Sequence, residues 1–223
     1  MEALITIIAA IFGLAFFVYV GYLIITKAFK DMGFSAFEAI IIVFLCFILG
    51  SGFIDGLFGI NYSNIPLFTY HTYWQVGINV GGAIIPLIIS AYLLIKNKLP
   101  ILKIFIGIGC VAVITYFVTF PDPSKGIVAV FPYWLLPILF ASLLSLLLCR
   151  KKKRTAAPFA YIISTLGVLL GADCFHLIPL LNNPITTTTP AIIGGAHVFD
   201  MVFLAGIFAV IVDSIFFFQE KKG

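Results

Sequence analysis

Six polar side chains stand in or at the edges of apolar stretches and are of types that bind or move charge: Asp55, Asn79, Asp173, His176, His197 and Asp200. His176 follows Asp173 by three residues and His197 precedes Asp200 by three, a spacing that puts each pair on one helix face. Carboxylates inside a membrane commonly mark proton and ion pathways. The same four donors suit zinc or another divalent ion. A spacing of three is unspecific, however, and a histidine at a membrane boundary is ordinarily interfacial, so no metal is assigned. Cys174 adjoins Asp173 but points about 100° away on an ideal helix. No Walker motif, dinucleotide fingerprint, haem-attachment cysteine pair or serine-hydrolase elbow is present, so no cofactor is expected.

The elements that position these groups follow from composition. Of 223 residues, 62% are hydrophobic and only 10% charged, with mean hydropathy +1.20. That excludes a soluble domain, a disordered chain and a disulfide scaffold. A hydrocarbon core of about 30 Å takes roughly 20 apolar residues per helix. Seven stretches qualify: about 3–26, 36–55, 76–95, 101–120, 131–149, 156–176 and 192–218. The expected fold is therefore all-α, a polytopic integral membrane protein with seven transmembrane helices in a single domain over residues 1–223. The first stretch outruns the apolar core of a signal peptide and carries Glu2 where a basic region would stand.

Charge orients the chain. Of the 13 Lys and Arg, 12 fall after stretches 1, 3, 5 and 7: Lys27 and Lys30; Lys96, Lys98 and Lys103; residues 150–154; and Lys221 and Lys222. Only Lys125 falls on the other side. The positive-inside rule then places the N-terminus outside and the C-terminus in the cytoplasm of a plasma-membrane, multi-pass protein. The run at 150–154 reads as a cytoplasmic loop, so the expected partner is the lipid bilayer, with a small ion or solute and no nucleic acid.

On this topology Asp55, Asn79, Asp173 and Asp200 all lie in the outer half of the membrane. Asp173 falls about 5 Å below the outer boundary and Asp200 about 12 Å, so the two carboxylates can face each other across consecutive antiparallel helices. Asp213, turned about 220° from Asp200, is expected to be solvated near the inner end of its helix, with a structural role. Glu38 is expected to be structural too. Residues 55–75 read as a re-entrant or interfacial segment, with Tyr62, Tyr70, Tyr73 and Trp74 as belt residues. The segment after Asp173, with Pro179, Pro184, Pro190 and four threonines, reads as an extended outer loop. Gly77 with Gly81 and Gly167 with Gly171 let helices approach closely. Pro86 crowds the Gly82 carbonyl, which would face a polar cavity beside Asn79.

Three motifs, GINYSNIPL with INVGGAIIP, TLGVLLGAD, and IGGAHVFDMVFLAGIFAV, make the chain resemble the archaeal and bacterial membrane family of domain of unknown function 1614 over about residues 33–212. The resemblance implies that Asn79, Gly81, Gly82, Pro86, Gly171, Asp173, Gly194, Gly195 and Asp200 occupy signature positions, and it implies no activity. His197 and Met201 depart from the expected small residue and glycine. A weaker similarity is to presenilin-type intramembrane aspartyl proteases, with Asp173 and Asp200 as a catalytic diad sharing one proton. The chain lacks the GxGD tetrapeptide and the PAL motif of that group.

Three functions are thus open: binding or translocation of a proton, cation or small solute at an outer acidic site; aspartyl proteolysis by Asp173 and Asp200; and a structural or partner-binding role. Transport needs no special pair geometry, although no inverted repeat is visible.

Overall fold

A computed structural model describes residues 2–59, 61–71, 73–149, 153–185, 188–195 and 201–220. Within these the chain is mostly helical, and each of the seven apolar stretches contains an apolar helix. Three helices are long and apolar enough to cross a membrane: residues 10–31, 101–118 and 155–181. Four shorter apolar helices accompany them.

Helix α1 (Glu2–Asp31) leads through a turn into α2 (Ala36–Gly50). Ser35 caps α2 with a capping box: its hydroxyl accepts from the Glu38 amide at 3.2 Å and its own amide donates to the Glu38 carboxylate at 2.7 Å. Glu38 is therefore structural, as expected. The stretch anticipated as one helix to residue 55 breaks at Gly50, because Gly52 takes a left-handed φ of +71° and starts the short α3 (Phe53–Phe58).

The next segment forms strands where a re-entrant or interfacial segment followed by helix is expected from sequence. Strand β1 (Asn64–Tyr70) turns back through His71 into β2 (Trp74–Asn79), and β2 pairs in parallel with β5 (Thr189–Ile193) on its other edge. Residues 76–79 and 192–193, placed inside helices 3 and 7 by their apolarity, belong instead to this sheet. A short apolar run has no period to tell strand from buried helix, and the pairing that decides spans more than a hundred residues. Trp74 is not a belt residue. It is buried with Val76, Leu180, Leu181 and Ala191 under the sheet, and its indole donates to the Asn183 carbonyl.

After β2 a π-helical turn (Val80–Ile84) runs into α4 (Ile85–Lys96), with Pro86 directly beyond the turn. The wider turn accommodates the proline ring that would crowd an α-helix. Helix α5 (Ile101–Val118) follows, then the hairpin β3 (Thr119–Asp122) and β4 (Gly126–Ala129), and α6 (Leu135–Leu148). Helix α7 (Lys153–Val168) passes through a second π-helical turn (Leu169–Cys174) into α8 (Phe175–Leu181). The expected outer loop thus starts later than its prolines imply and ends in β5. Helix α9 (Met201–Glu220) closes the fold.

Helix α7 is central, packed by α4, α5, α6 and α9, and 67% of the span it begins is buried against 6% for α1. Phe159, Tyr161, Ile162 and Ile163 anchor this core with Phe203 and Ile207 of α9. Phe12, Phe17, Ile95 and Phe117 are each more than 70% exposed, the outward apolar surface that a bilayer covers. Three hydrogen bonds gather helix ends at one pole of the bundle: Lys96 Nζ to the Gly33 carbonyl, Lys103 Nζ to the Leu148 carbonyl, and Ser214 Oγ to Asp31 Oδ2. The β3–β4 hairpin, α8 and β5 pack together elsewhere, on the side carrying Lys125.

Candidate functional site

Asp173 sits within the π-helical turn that interrupts the span begun by α7, and is 6% exposed. Its Oδ2 accepts the Gly194 amide at 2.7 Å, so the carboxylate holds the end of β5 against the broken helix. Gly194 adopts φ +84° and lies against the first π turn: a Cβ on it would come 2.5 Å from that of Ala83, and one on Gly82 would come 2.0 Å from the Gly194 oxygen. Only backbones without side chains approach this closely. The two π turns are joined, through Gly194, at Asp173.

Asp173 also forms part of the wall of two cavities. One, of about 340 Å³, runs between the β3–β4 hairpin and α9, past Thr119, Trp134, Val168 and Leu204. The other, of about 440 Å³, lies between the hairpin, α8 and β5 and includes Lys125. A buried carboxylate at a helix break facing two partly open pockets is a place where charge can be bound.

Asn79 lies beside this junction and is wholly buried. Its Oδ1 accepts the Gly82 amide at 2.7 Å, capping the first π turn, while its Nδ2 donates to the Gly50 carbonyl and to Asn64 Oδ1. The Gly82 signature is thus explained by contact with Gly194, and Asn79 holds α2, β1 and the π turn together. Gly81 meets α2 in the same way, its ideal Cβ 2.4 Å from the Cys46 oxygen. Gly171 does so with α5, 2.3 Å from the Ala112 oxygen.

Asp55 lies beyond α2, in α3. It accepts the Tyr62 amide at 2.6 Å, the Ser63 amide at 3.1 Å and the Ser63 hydroxyl. Slight burial opposes its ionisation, but these hydrogen bonds from Ser63 and Tyr62 outweigh it and hold the carboxyl below its usual range. The Ser63 carbonyl in turn accepts the Val80 amide, so Asp55 braces the loop before β1 against the first π turn.

His176 does not share Asp173's hydrogen-bond partner. Its Nε2–H donates to the Tyr116 carbonyl at 3.1 Å and its ring stacks on Tyr116 with centroids 4.5 Å apart. Asp173 lies in the π-helical turn and His176 in α8 beyond it, and the two have different hydrogen-bond contacts. His197 and Asp200 lie outside the described residues. Among the described residues no three His, Cys, Asp or Glu come together as metal ligands.

Asp213 differs from expectation: it is 1% exposed, not solvated, because α9 turns this face into the bundle. Gly194 is the hydrogen-bond partner of Asp173 that sequence reasoning missed, and Lys125 lines one of the two pockets with it. The recurrence of Gly-Gly-Ala at 81–83 and 194–196, each soon after an apolar run, was the available signal for the first. No curated protein and no solved structure matches the chain. The family described as protein of unknown function (DUF1614) matches over residues 55–212, most of the length, and the chain belongs to that family.

Proposed function

We propose that this is a plasma-membrane protein of one seven-helix domain, with its N-terminus outside, that binds or translocates a proton, cation or small solute at Asp173. The observation that carries the reading is the buried Asp173 carboxylate at a broken helix, on the wall between two cavities. Two breaks meeting backbone to backbone supply the non-helical segment that membrane transport sites use where it lines a cavity. Asp55 and Asn79 support this junction and are not ligands in this reading, since their polar atoms are engaged in holding the backbone. The orientation is supported by the 12 basic residues on one side and by the hydrogen bonds of Lys96 and Lys103 at one pole.

The test uses purified protein in proteoliposomes, with proton and sodium movement followed under imposed gradients. Movement of either ion that Asp173→Asn abolishes and Asp122→Asn leaves intact is the expected result. Identical traces for wild type and Asp173→Asn with both ions would overturn the reading. Orientation is checked in cells by an impermeant maleimide, with the native cysteines replaced. Lys125→Cys should label from outside and Lys98→Cys only after permeabilisation.

A further inference from the structure

The interior of the bundle below Asp173 holds hydroxyls that packing alone does not explain. Ser90, Tyr161, Ser164 and Thr165 are each at most 2% exposed; the Ser90 and Ser164 oxygens have no hydrogen-bond partner, and the Tyr161 and Thr165 hydroxyls interact only weakly with each other. A buried hydroxyl left in this way is costly and asks for a reason. Tyr161, Ser164 and Thr165 share one stripe of α7, at spacings of three and four. Tyr161 and Thr165 face Gly206 of α9, whose ideal Cβ would come 2.4 Å from Thr165 Oγ1 and 2.8 Å from the Tyr161 ring.

This stripe is flanked by the two buried acids. Towards Asp173, Val168 lies one turn beyond Thr165, about 4.5 Å along the axis. Val168 already lines the 340 Å³ cavity that reaches Asp173. In an unbroken α-helix the twelve residues from Tyr161 to Asp173 would carry the acid about 120° off the stripe. The wider i→i+5 turn rotates less per residue and brings it back towards it. In the other direction Asp213 follows Gly206 by seven residues, two turns on the same face, about 10 Å away. Ser142 Oγ stands in that interval, 3.0 Å from the Ala209 carbonyl, one turn before Asp213. Ser145 Oγ, 2.9 Å from the Ala156 carbonyl, lies one turn further along α6.

We propose that the polar stripe between α7 and α9 carries protons between Asp173 and Asp213, so that the ion handled at Asp173 is a proton; this rests on the reading of Asp173 as an ion site. A proton arriving on Asp173 passes through water in the cavity, which has room for several molecules at about 30 Å³ each. It passes between the Thr165 and Tyr161 hydroxyls, which interact with each other, and then by water-bridged steps past Ser142 to Asp213, from which it leaves. Each hydroxyl accepts one proton as it gives one up, and no group is oxidised or reduced. The charged and titratable groups about the ends are Lys125 and Cys174 at Asp173, and Cys149, Lys103 and the Asp31–Ser214 pair near Asp213.

The test encloses a pH-sensitive dye in proteoliposomes and imposes a pH gradient, with charge compensated by potassium and valinomycin. Thr165→Val with Tyr161→Phe, and separately Asp213→Asn, should lower proton flux by about a hundredfold. Both should elute from size exclusion as the wild type does. Asp213→Glu, which keeps the titratable group, should retain flux. Unchanged proton flux in the hydroxyl variants and in Asp213→Asn overturns the path. So does sodium movement that needs Asp173 without proton movement, and in both cases the Asp173 site stands. Asp173→Asn behaving as wild type for both ions overturns the site and the path together.

Discussion

The Asp173 carboxylate accepts the Gly194 amide at 2.7 Å across 21 residues of sequence, tying the break in one apolar helix to the end of a β-strand. One oxygen thus does structural service while the carboxyl as a whole faces two cavities, and the two duties separate under mutation. Asp173→Asn keeps an acceptor for the Gly194 amide and should melt close to wild type while losing ion binding. Asp173→Leu removes the acceptor as well and should cost about 1–3 kcal/mol more, the usual penalty for a buried amide left unpaired. Thermal melting of both variants in detergent checks this. Equal losses in the two would mean that the charge, not the hydrogen bond, holds the junction.

Gly82 tests the same junction from its other side. An ideal Cβ there would come 2.0 Å from the Gly194 oxygen, whereas Gly109 on the exposed face of α5 has nothing within 4 Å. Gly82→Ala should lose about 1–3 kcal/mol or more through overpacking. Gly109→Ala should leave stability nearly unchanged. Denaturation in a graded detergent mixture separates the two, and a Gly82→Ala protein as stable as Gly109→Ala would show that the strand end can withdraw without penalty.

Apolar runs were enough to find the seven apolar helices among the described residues, because length and apolarity are what a bilayer asks of a helix. The capping box of Ser35 and Glu38 was similarly local. What escaped were interactions between distant segments. Residues 76–79 read as helix because Val and Ile serve strand and membrane helix alike, and only the partner at 189–193 decides. The π turns have no sequence signature, yet the one at 169–174 holds Asp173 against Gly194. Asp213 was misread because helix position alone does not say which face turns inward. Asp173 and Asn79 were legible as polar groups in apolar surroundings, but Asn79 serves the backbone, a distinction that rests on the atoms it touches.

The buried hydroxyls of α7 yield a prediction on stability independent of any transport. Tyr161 and Thr165 are 0% exposed and their oxygens make no well-formed hydrogen bond beyond a weak interaction with each other, so each carries most of the cost of desolvation. Tyr161→Phe and Thr165→Val preserve shape and should each raise stability by about 1 kcal/mol. A rise in melting temperature checks this. A clear fall in both would show that the hydroxyls are satisfied in the membrane by groups other than protein, such as firmly held water.

Asp55 gives a pH dependence whose sign is fixed by its environment. Its carboxyl is held below the ordinary value of 3.8 because the Ser63 and Tyr62 hydrogen bonds outweigh a slight burial. A group depressed in the folded state binds protons less readily there than when unfolded. Its stabilising contribution is therefore complete above the ordinary value and fades as the pH falls through the lower folded one. Asp55 is half-buried at the edge of the fold, outside α2, so the effect should be local to the α3–β1 loop and should not unfold the bundle. Peptic cleavage within residues 52–63 should accelerate as the pH is lowered from about 5 to 2, beyond the protease's own pH response measured on an unfolded peptide of the same sequence. Asp55→Asn retains an acceptor but cannot titrate, and its cleavage should follow the peptide control throughout; acceleration equal to that of wild type would place the pH sensitivity in another group.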